Sequence, residues 1–461
     1  YALSADIQKA FLQIEIRDED QDVHRFLWRE ENYIRILKFV RVTFGIKCSP
    51  FLLAATIRHH LTLCPPSTVI NELMDNLYVD DFLSGADNVE DAHELFVQAK
   101  QVMSQAGMIL TKWQSNKPSS VLIEEKAGVT NYTKVLGVVW RPNEDKFAYE
   151  GFNVPKTVTP TKRVILSMIA RVYDPLGLVL PYTVVAKFLF QDIWRLGLNW
   201  DDELPKEIYV TFMKWLTGLQ ELKVIHIPRQ YFNSTWVETQ DSLEIHAYGD
   251  ASLKGYGSCV YLRCMVNGTI ETSLVKACAR VAPLTRKTLP RLELLGCLVT
   301  AQLLQYVRCS LRLPSDIKYI CWTDSMVALG WIRGDLSRWK PWVANRVSTI
   351  QSLTNVAAWK YIEGNSNPAD LLTRGVTAKN LISNELWWHG PKNLRNEVDL
   401  IIDEPVLFPC GDPDVQIECK VSKESCILTR IENIETFQFL DKAYRVIAWV
   451  LRFVDSCRRK K

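Results

Sequence analysis

The stretch "DNLYVDDFLSG", residues 75–85, sets Asp80 and Asp81 side by side between apolar residues and a Ser-Gly pair. Adjacent carboxylates repel each other, and apolar neighbours raise the cost of their charge. The plain reading is a surface turn of the kind that favours Asp. "LYV" before the pair and "FL" after it instead mark a half-buried hairpin over 72–86 with the acids at its tip. Divalent cations would remove the repulsion, since Mg²⁺ is held by a few carboxylates together with water and phosphate oxygens. Two such ions about 4 Å apart activate an attacking oxygen and stabilise a leaving one. That chemistry needs a further carboxylate from a neighbouring strand. Asp6, in "SADIQKAF", ends a short apolar strand and is the candidate.

Working outward, "YALSADIQKAFLQIEI" (1–16) reads as a strand, a turn and the start of a helix or second strand. "FVRVTFGIKCSPFLLAATIRHHL" (39–61) passes from a strand through a glycine loop into a helix near Pro50. "VEDAHELFVQAKQVMSQAGM" (89–108) has apolar residues at helical spacing and closes at Gly107. "KVLGVVW" (134–140) reads as one short strand. These elements predict an α+β domain over 1–150. Residues 151–242 read as mostly helical with Pro-punctuated loops, a connecting domain without a catalytic constellation.

From Leu243 the pattern changes. "LEIHAYGDASLKGYGSCVYLR" (243–263) alternates, turns and alternates again, as a hairpin does. A third strand, a long buried helix over 288–311, a strand running into a helix (317–332), another helix and a last strand follow. The expectation is a mixed α/β sheet domain over 243–376. Four acids stand at element ends there: Asp250 in "AYGDAS", Glu293 in "LPRLELLG", Asp324 in "CWTDS" and Asp370 in "NPADLLTRG". Asp370 reads equally as a helix-start charge, Asp324 as a helix cap, and Asp250 as part of a Gly-rich turn. Glu293, placed in the first turn of a buried helix between leucines, needs a partner. Together the four suit a second two-ion site. Arg286, Lys287 and Arg291, with Lys276 and Arg280, cluster around the Glu293 helix. "RWKPWVANR" interleaves Arg338, Lys340 and Arg346 with Trp339 and Trp342. Such a pattern suits phosphate and base contacts, and equally a core with a solvated face.

"DIQKAFLQI", "FGIKCSP", "YVDDFLSG", "GMILTKWQSN" and "KVLGVVW" resemble, in order and spacing, the palm motifs of reverse transcriptases, best those in the Pol polyprotein of BEL/Pao-type LTR retrotransposons. The resemblance implies Asp6, Asp80 and Asp81 as metal-binding acids and Phe11 as the residue that screens the 2′-hydroxyl of a nucleotide. It implies Gly45 in the loop flooring nucleotide and template, and Lys112 near the pyrophosphate. Residues 243–376 resemble the ribonuclease H domain of such proteins, with Asp250, Glu293, Asp324 and Asp370 as catalytic metal ligands. The histidine that precedes the last acid in many relatives is absent from "EGNSNPAD", where Asn365 or Asn367 takes its place beside a water. Implied partners are two Mg²⁺ per active site, with Mn²⁺ as the substitute, an RNA/DNA hybrid, template–primer and deoxynucleotides. The rest of a Pol polyprotein, fingers and integrase, is also implied.

The fold class expected is therefore α+β and α/β multidomain: a partial reverse transcriptase palm lacking its fingers, a helical connecting domain, and a ribonuclease H-like domain. A tail over 377–461, leading toward a missing integrase, completes the chain. The start at Tyr1 and the end in "CRRKK" after "AYRVIAWVLRFV" read as cut, so a piece of a longer protein is expected, with polymerisation incomplete. A non-catalytic or domesticated nucleic-acid-binding remnant is the alternative. An aspartic protease is disfavoured, since the nearest string, "TDSMV" (323–327), has Met where the tight turn needs Gly.

The chain has 461 residues, 48% hydrophobic and 23% charged, enough for two to four domains with real cores. A net charge of only +3 makes any polyanion argument local rather than global. Twelve scattered cysteines with no C-x-x-C spacing argue against a zinc site and predict reduced thiols. With no leader and no apolar run near the ~20 residues that span a bilayer, the expectation is an intracellular protein, in a cytoplasmic retroelement particle or the nucleus, with no membrane partner.

Overall fold

The structure, a computed structural model, describes residues 1–31, 33–123, 132–149, 160–233 and 242–396. The unassigned helical reading near the C-terminus, "AYRVIAWVLRFV", lies outside the described residues.

The first unit is built on β1 (Ala2–Ile7). Leu3, Ala5 and Ile7 alternate into a core while Ser4 and Asp6 face the other way, the period of two expected of a half-buried strand. Beyond it come a hairpin, β2 (Arg25–Glu30) and β3 (Tyr33–Lys38), then α1 (Ser49–Leu63), α2 (Thr68–Asn76), β4 (Leu77–Tyr78), β5 (Asp81–Gly85), α3 (Val89–Gln105), β6 (Leu110–Ser115) and α4 (Pro118–Val121). The sheet runs β4-β5-β1-β6, all antiparallel. On α3, Ala92, Leu95, Phe96, Ala99 and Met103 form one buried stripe. Asn88 caps its start, and Gly107 in the left-handed region ends it. Phe96 meets Trp113 of β6 edge-on at 4.8 Å.

Three readings of this unit change. Residues 68–76 are helix, so the acid-tipped hairpin begins only at Leu77. No strand follows Lys38 on the way to α1; the strands are instead β2 and β3, which among the described residues pair only with each other. "KVLGVVW" is two strands, β7 (Thr133–Val135) and β8 (Val138–Arg141), joined by Leu136 and Gly137, both with positive φ. That is the backbone of a tight two-residue hairpin turn.

β9 (Lys146–Ala148) continues from β8, and β10 (His226–Pro228) adds to its edge. Between them lie α5 (Lys162–Arg171), α6 (Leu180–Arg195) and α7 (Lys206–Gly218). Asp174 organises the loop into α6. Its carboxylate accepts the N–H groups of Leu178 and Val179 and the hydroxyl of Tyr149.

The last unit carries a five-stranded sheet of β11 (Glu244–Ala251), β12 (Gly255–Val266), β13 (Thr269–Val281), β14 (Lys318–Thr323) and β15 (Trp359–Tyr361), ordered β13-β12-β11-β14-β15. β11 pairs antiparallel with β12 and parallel with β14. α8 (Leu289–Ser310), α9 (Met326–Arg333) and α10 (Pro341–Leu353) cover one face, packing on Ile245, Ala247, Val260 and Cys321. α5–α7 cover the other face together with α11 (Asp370–Arg374), α12 (Ala378–Ile382) and α13 (Glu385–His389), against Tyr248, Tyr261 and Trp322. The helices read as a connecting domain thus share one core with the mixed sheet, and residues 377–396 of the tail share it too. At the sheet's outer edge the Leu176 carbonyl accepts the N–H of Ala277 at 2.8 Å. Gly177 lies so close that a Cβ there would fall 2.2 Å from the Ala277 carbonyl oxygen.

Candidate active sites

The antiparallel register of β1 and β5 sets Asp6 directly opposite Asp81, and the Ile7 N–H donates to the Asp80 carbonyl at 2.8 Å. All three acids of the first constellation therefore meet at one end of the sheet. Val79 and Asp80 form the two-residue turn between β4 and β5, and Val79 takes φ +58°. A β-branched residue in that region is strained. Burial, then Asp80, then Asp6 raise the Asp81 carboxyl above its ordinary range. Lys112 answers this charge. The β1–β6 register slips between Ser4 and Asp6, and Lys112 takes φ +54°, a bulge that re-aims its side chain. Its ammonium donates to Asp6 at 2.6 Å, and that bond raises the Lys112 pKa. Phe11 is buried and meets Phe44 edge-on at 4.8 Å. Gly45, next along the chain, holds φ +89° with open space around it.

The second constellation is made at the ends of β11 and β14. Asp250 is the next-to-last residue of β11, Asp324 follows β14, and Asp370 opens α11. Glu293 stands in the second turn of α8, not the first as read from sequence. Two glycines bring that helix against the strand. A Cβ on Gly249 would lie 2.3 Å from the Thr300 hydroxyl, and one on Gly296 would lie 2.7 Å from the Asp250 carbonyl oxygen. The four acids feel one another. Burial first, then Asp324 and Asp370, push Asp250 up to about 8. Burial and Asp324 push Glu293 up to about 7. Burial and Asp370 raise Asp324.

Neutral donors hold three of these carboxylates. The Thr373 hydroxyl donates to Asp250, Ser325 to Glu293, and the Asn367 amide to Asp324. Asn367 is fully buried and also donates to the Gly249 carbonyl at 3.0 Å. It therefore ties the Asp324 loop to β11, whereas Asn365 is exposed on the adjacent loop. The fourth acid, Asp370, takes the Arg374 guanidinium at 2.6 Å. Among the described residues, no three His, Cys, Asp or Glu side chains already stand as a closed cradle for one ion. The donor set nonetheless suits hard cations: oxygen-only acids in two groups, each group repelling itself.

Residues 1–152 match the reverse transcriptase (RNA-dependent DNA polymerase) family, and residues 161–325 match the Pao retrotransposon-like RNaseH-like domain. The two matches follow one another along the chain, consistent with a Pao-type Pol polyprotein. The resemblance read from the motifs is thus borne out, as is the α+β multidomain fold class. No curated protein matches the chain. A solved structure, the foamy viral protease-reverse transcriptase in complex with RNA/DNA hybrid, is similar with a TM-score of 0.47 and 14% identity. The similarity covers 82% of this chain and 45% of that one, so the chain spans less than half of its neighbour.

The basic and aromatic residues read as nucleic-acid contacts divide into two groups. Trp339, read as a nucleic-acid contact, is a core residue at 2% exposure, its indole N–H donating to the Trp331 carbonyl. Trp342 is half-buried on α10, packed against the core, with Arg346 over its ring at 3.8 Å and Arg291 at 5.0 Å, a cation–aromatic stack beside the Glu293 helix. Arg286, Arg338 and Lys340 are exposed, and Lys287 is half-buried. Lys276 is committed elsewhere, donating to the Pro175 carbonyl. Sequence reading missed Thr373 and Ser325, since a hydroxyl one or three residues from one acid carries no signal that it serves another far along the chain.

Proposed function

We propose that this chain combines the palm of an RNA-directed DNA polymerase with a two-metal ribonuclease H that cuts the RNA strand of RNA/DNA hybrids. The nuclease half rests on one observation: Asp250, Glu293, Asp324 and Asp370 meet at one sheet end, where burial and the neighbouring acids raise the carboxyls of Asp250, Glu293 and Asp324. Such crowding is costly unless it serves a charge-binding task. The four carboxylates would hold the ions. When bound, two Mg²⁺, or Mn²⁺ in their place, would supply Lewis acidity for in-line displacement at phosphorus. Thr373, Ser325 and Asn367 orient the acids, so each oxygen is aimed before any ion or strand arrives. Arg374 must release Asp370 for that acid to serve.

In the palm, Asp6, Asp80 and Asp81 would take the equivalent role toward a deoxynucleotide and template–primer. Phe11 is locked against Phe44 to bound the sugar, and Gly45 supplies loop freedom. Lys112 would exchange Asp6 for a phosphate oxygen.

The test is Mg²⁺-dependent cleavage of a labelled RNA/DNA hybrid, wild type against Asp324→Asn, with Mg²⁺ binding followed by calorimetry on both. Cutting and ion uptake by the wild type alone support the reading. Equal cutting by both, or none by either, removes it. The second reading, a non-catalytic nucleic-acid binder, draws on the cations already seated on Asp6 and Asp370. It would then be favoured.

A further inference from the structure

An exposed ion pair joins the palm to the mixed-sheet unit. Arg312, just past the end of α8, donates to Asp75 of α2 at 2.7 Å across 237 positions of sequence. Each partner stands where local rules disfavour it. α8 closes with the Leu313 N–H donating to the Arg308 carbonyl at 3.0 Å and the Arg312 N–H to the Cys309 carbonyl at 3.2 Å. Such a helix end needs a left-handed residue at 312, the usual place of glycine. Arg312 takes φ +50° there and bears the strain. Leu313, buried in the core of the sheet, fixes the turn.

Asp75 is equally misplaced in isolation. It lies in the last turn of α2, where the helix carbonyls already gather negative charge, and one turn from Glu72. A strained arginine and an ill-placed acid become favourable only together. Local rules broken at both ends of one contact point to a task for that contact. The task lies in what α2 carries. β4 begins at Leu77 with no loop between, and the Val79–Asp80 turn and Asp81 of β5 follow at once. α2 also grips β5, since Glu72 accepts the Ser84 hydroxyl at 2.6 Å as well as the Asn76 amide at 2.5 Å. The last turn of α2 is therefore the stem of the acid hairpin.

We propose that Arg312 is a positioning residue for the palm: through Asp75 it steadies the stem of the hairpin that presents Asp80 and Asp81. The mixed-sheet unit thereby sets the geometry of the polymerase acids, with a helix whose other end carries Glu293. The inference rests on the polymerase reading for what those acids do. Arg312 is not what holds the units together. Asp145, in the β8–β9 turn, accepts from Asn116 beyond β6 at 3.0 Å and from Trp140 at 3.1 Å. It also takes Arg229 beyond β10 at 2.6 and 2.8 Å. Loss of Arg312 loosens the hairpin and leaves that joint intact.

The test follows amide hydrogen exchange over Asn76–Phe82 in the full, metal-free chain. Arg312→Gly removes the charge and relieves the backbone strain, so its two effects have opposite signs. The melting temperature of the mixed-sheet unit should rise by about 2 °C. Exchange over Asn76–Phe82 should speed up by about fivefold, the scale of an exposed ion pair. Arg312→Lys, which keeps the charge, should stay near the wild type in exchange. In the Asp75→Asn chain, adding Arg312→Gly should change exchange no further. Salt at about 0.5 M should bring the wild type toward Arg312→Gly and leave that variant unmoved. Primer extension by Arg312→Gly should fall severalfold. Unchanged exchange in Arg312→Gly, or an effect that persists in the Asp75→Asn chain, overturns the proposal. Faster exchange in Arg312→Gly without primer extension by the wild type sinks the polymerase reading alone. Wild-type extension that Arg312→Gly leaves intact sinks the positioning role alone.

Discussion

The two acid clusters solve the same electrostatic problem by opposite means. In the palm, Asp6 keeps 29% of its side chain exposed and takes Lys112 as a counter-ion, so water and an ammonium absorb the charge. At the sheet end, Asp250 is only 5% exposed and its direct partner is a hydroxyl, so its carboxyl tends to keep its proton instead. In the palm an incoming cation has to displace an ammonium. A buried acid must first lose a proton, and the energy for that has to come from the ion.

The comparison breaks first, and most severely, on independence. Asp324→Asn should reduce hybrid cleavage by about a thousandfold or more and leave primer extension as it was. Asp81→Asn should do the reverse, because each substitution removes a charge that a two-ion transition state requires. Parallel assays on one preparation of each variant decide it. If both activities fall in both variants, the clusters are not separate sites.

A second measurement sharpens the contrast through pH. Asp250 in the folded chain sits near 8 against an ordinary 3.8. A raised acid holds more protons folded than unfolded, so its contribution is full below about pH 4 and is lost as pH rises toward 8. The metal-free chain should therefore lose thermal stability over that window, by on the order of a few kcal/mol, and Asp250→Asn should flatten the loss. Added Mg²⁺ should raise the melting temperature more at pH 8 than at pH 6. Asp81→Asn should alter the profile far less.

Smaller effects come from the resident cations. Lys112→Met and Arg374→Met remove exposed ion pairs, each worth about 1 kcal/mol or less. Stability should hardly move, yet Mg²⁺ titrations followed by calorimetry should show severalfold tighter uptake at the cluster that lost its cation. The smallest expected change is in the palm hairpin. Val79→Gly relieves a positive φ and should raise stability by about 1 kcal/mol in thermal denaturation.

Asp6, Asp250 and Asp324 were legible because each stands where a strand runs out, and Glu293 because an acid between leucines inside a helix needs a partner. Their convergence on one point was not legible, since it depends on Gly249 and Gly296 letting α8 press on β11. The β2–β3 hairpin escaped notice because "RFLWRE" and "YIRILK" expose large apolar residues on both faces and so lack alternation. "KVLGVVW" hid its turn because a leucine, Leu136, occupies a positive φ where Asn or Gly would have announced it. Trp339 and Trp342 share a basic stretch three residues apart, yet one is fully buried and the other half-buried under two guanidinium groups. Composition alone cannot tell two sides of a turn apart.

The loop carbonyl of Leu176 against β13 has a further consequence. A long strand at the border of a sheet offers a row of unsatisfied amides and carbonyls to any passing chain. Here the protein's own backbone occupies that berth at Ala277, and the absence of a side chain at Gly177 lets it moor there. A bulky residue in place of Gly177 would cast the loop off, and the first symptom would be clumping of otherwise intact molecules.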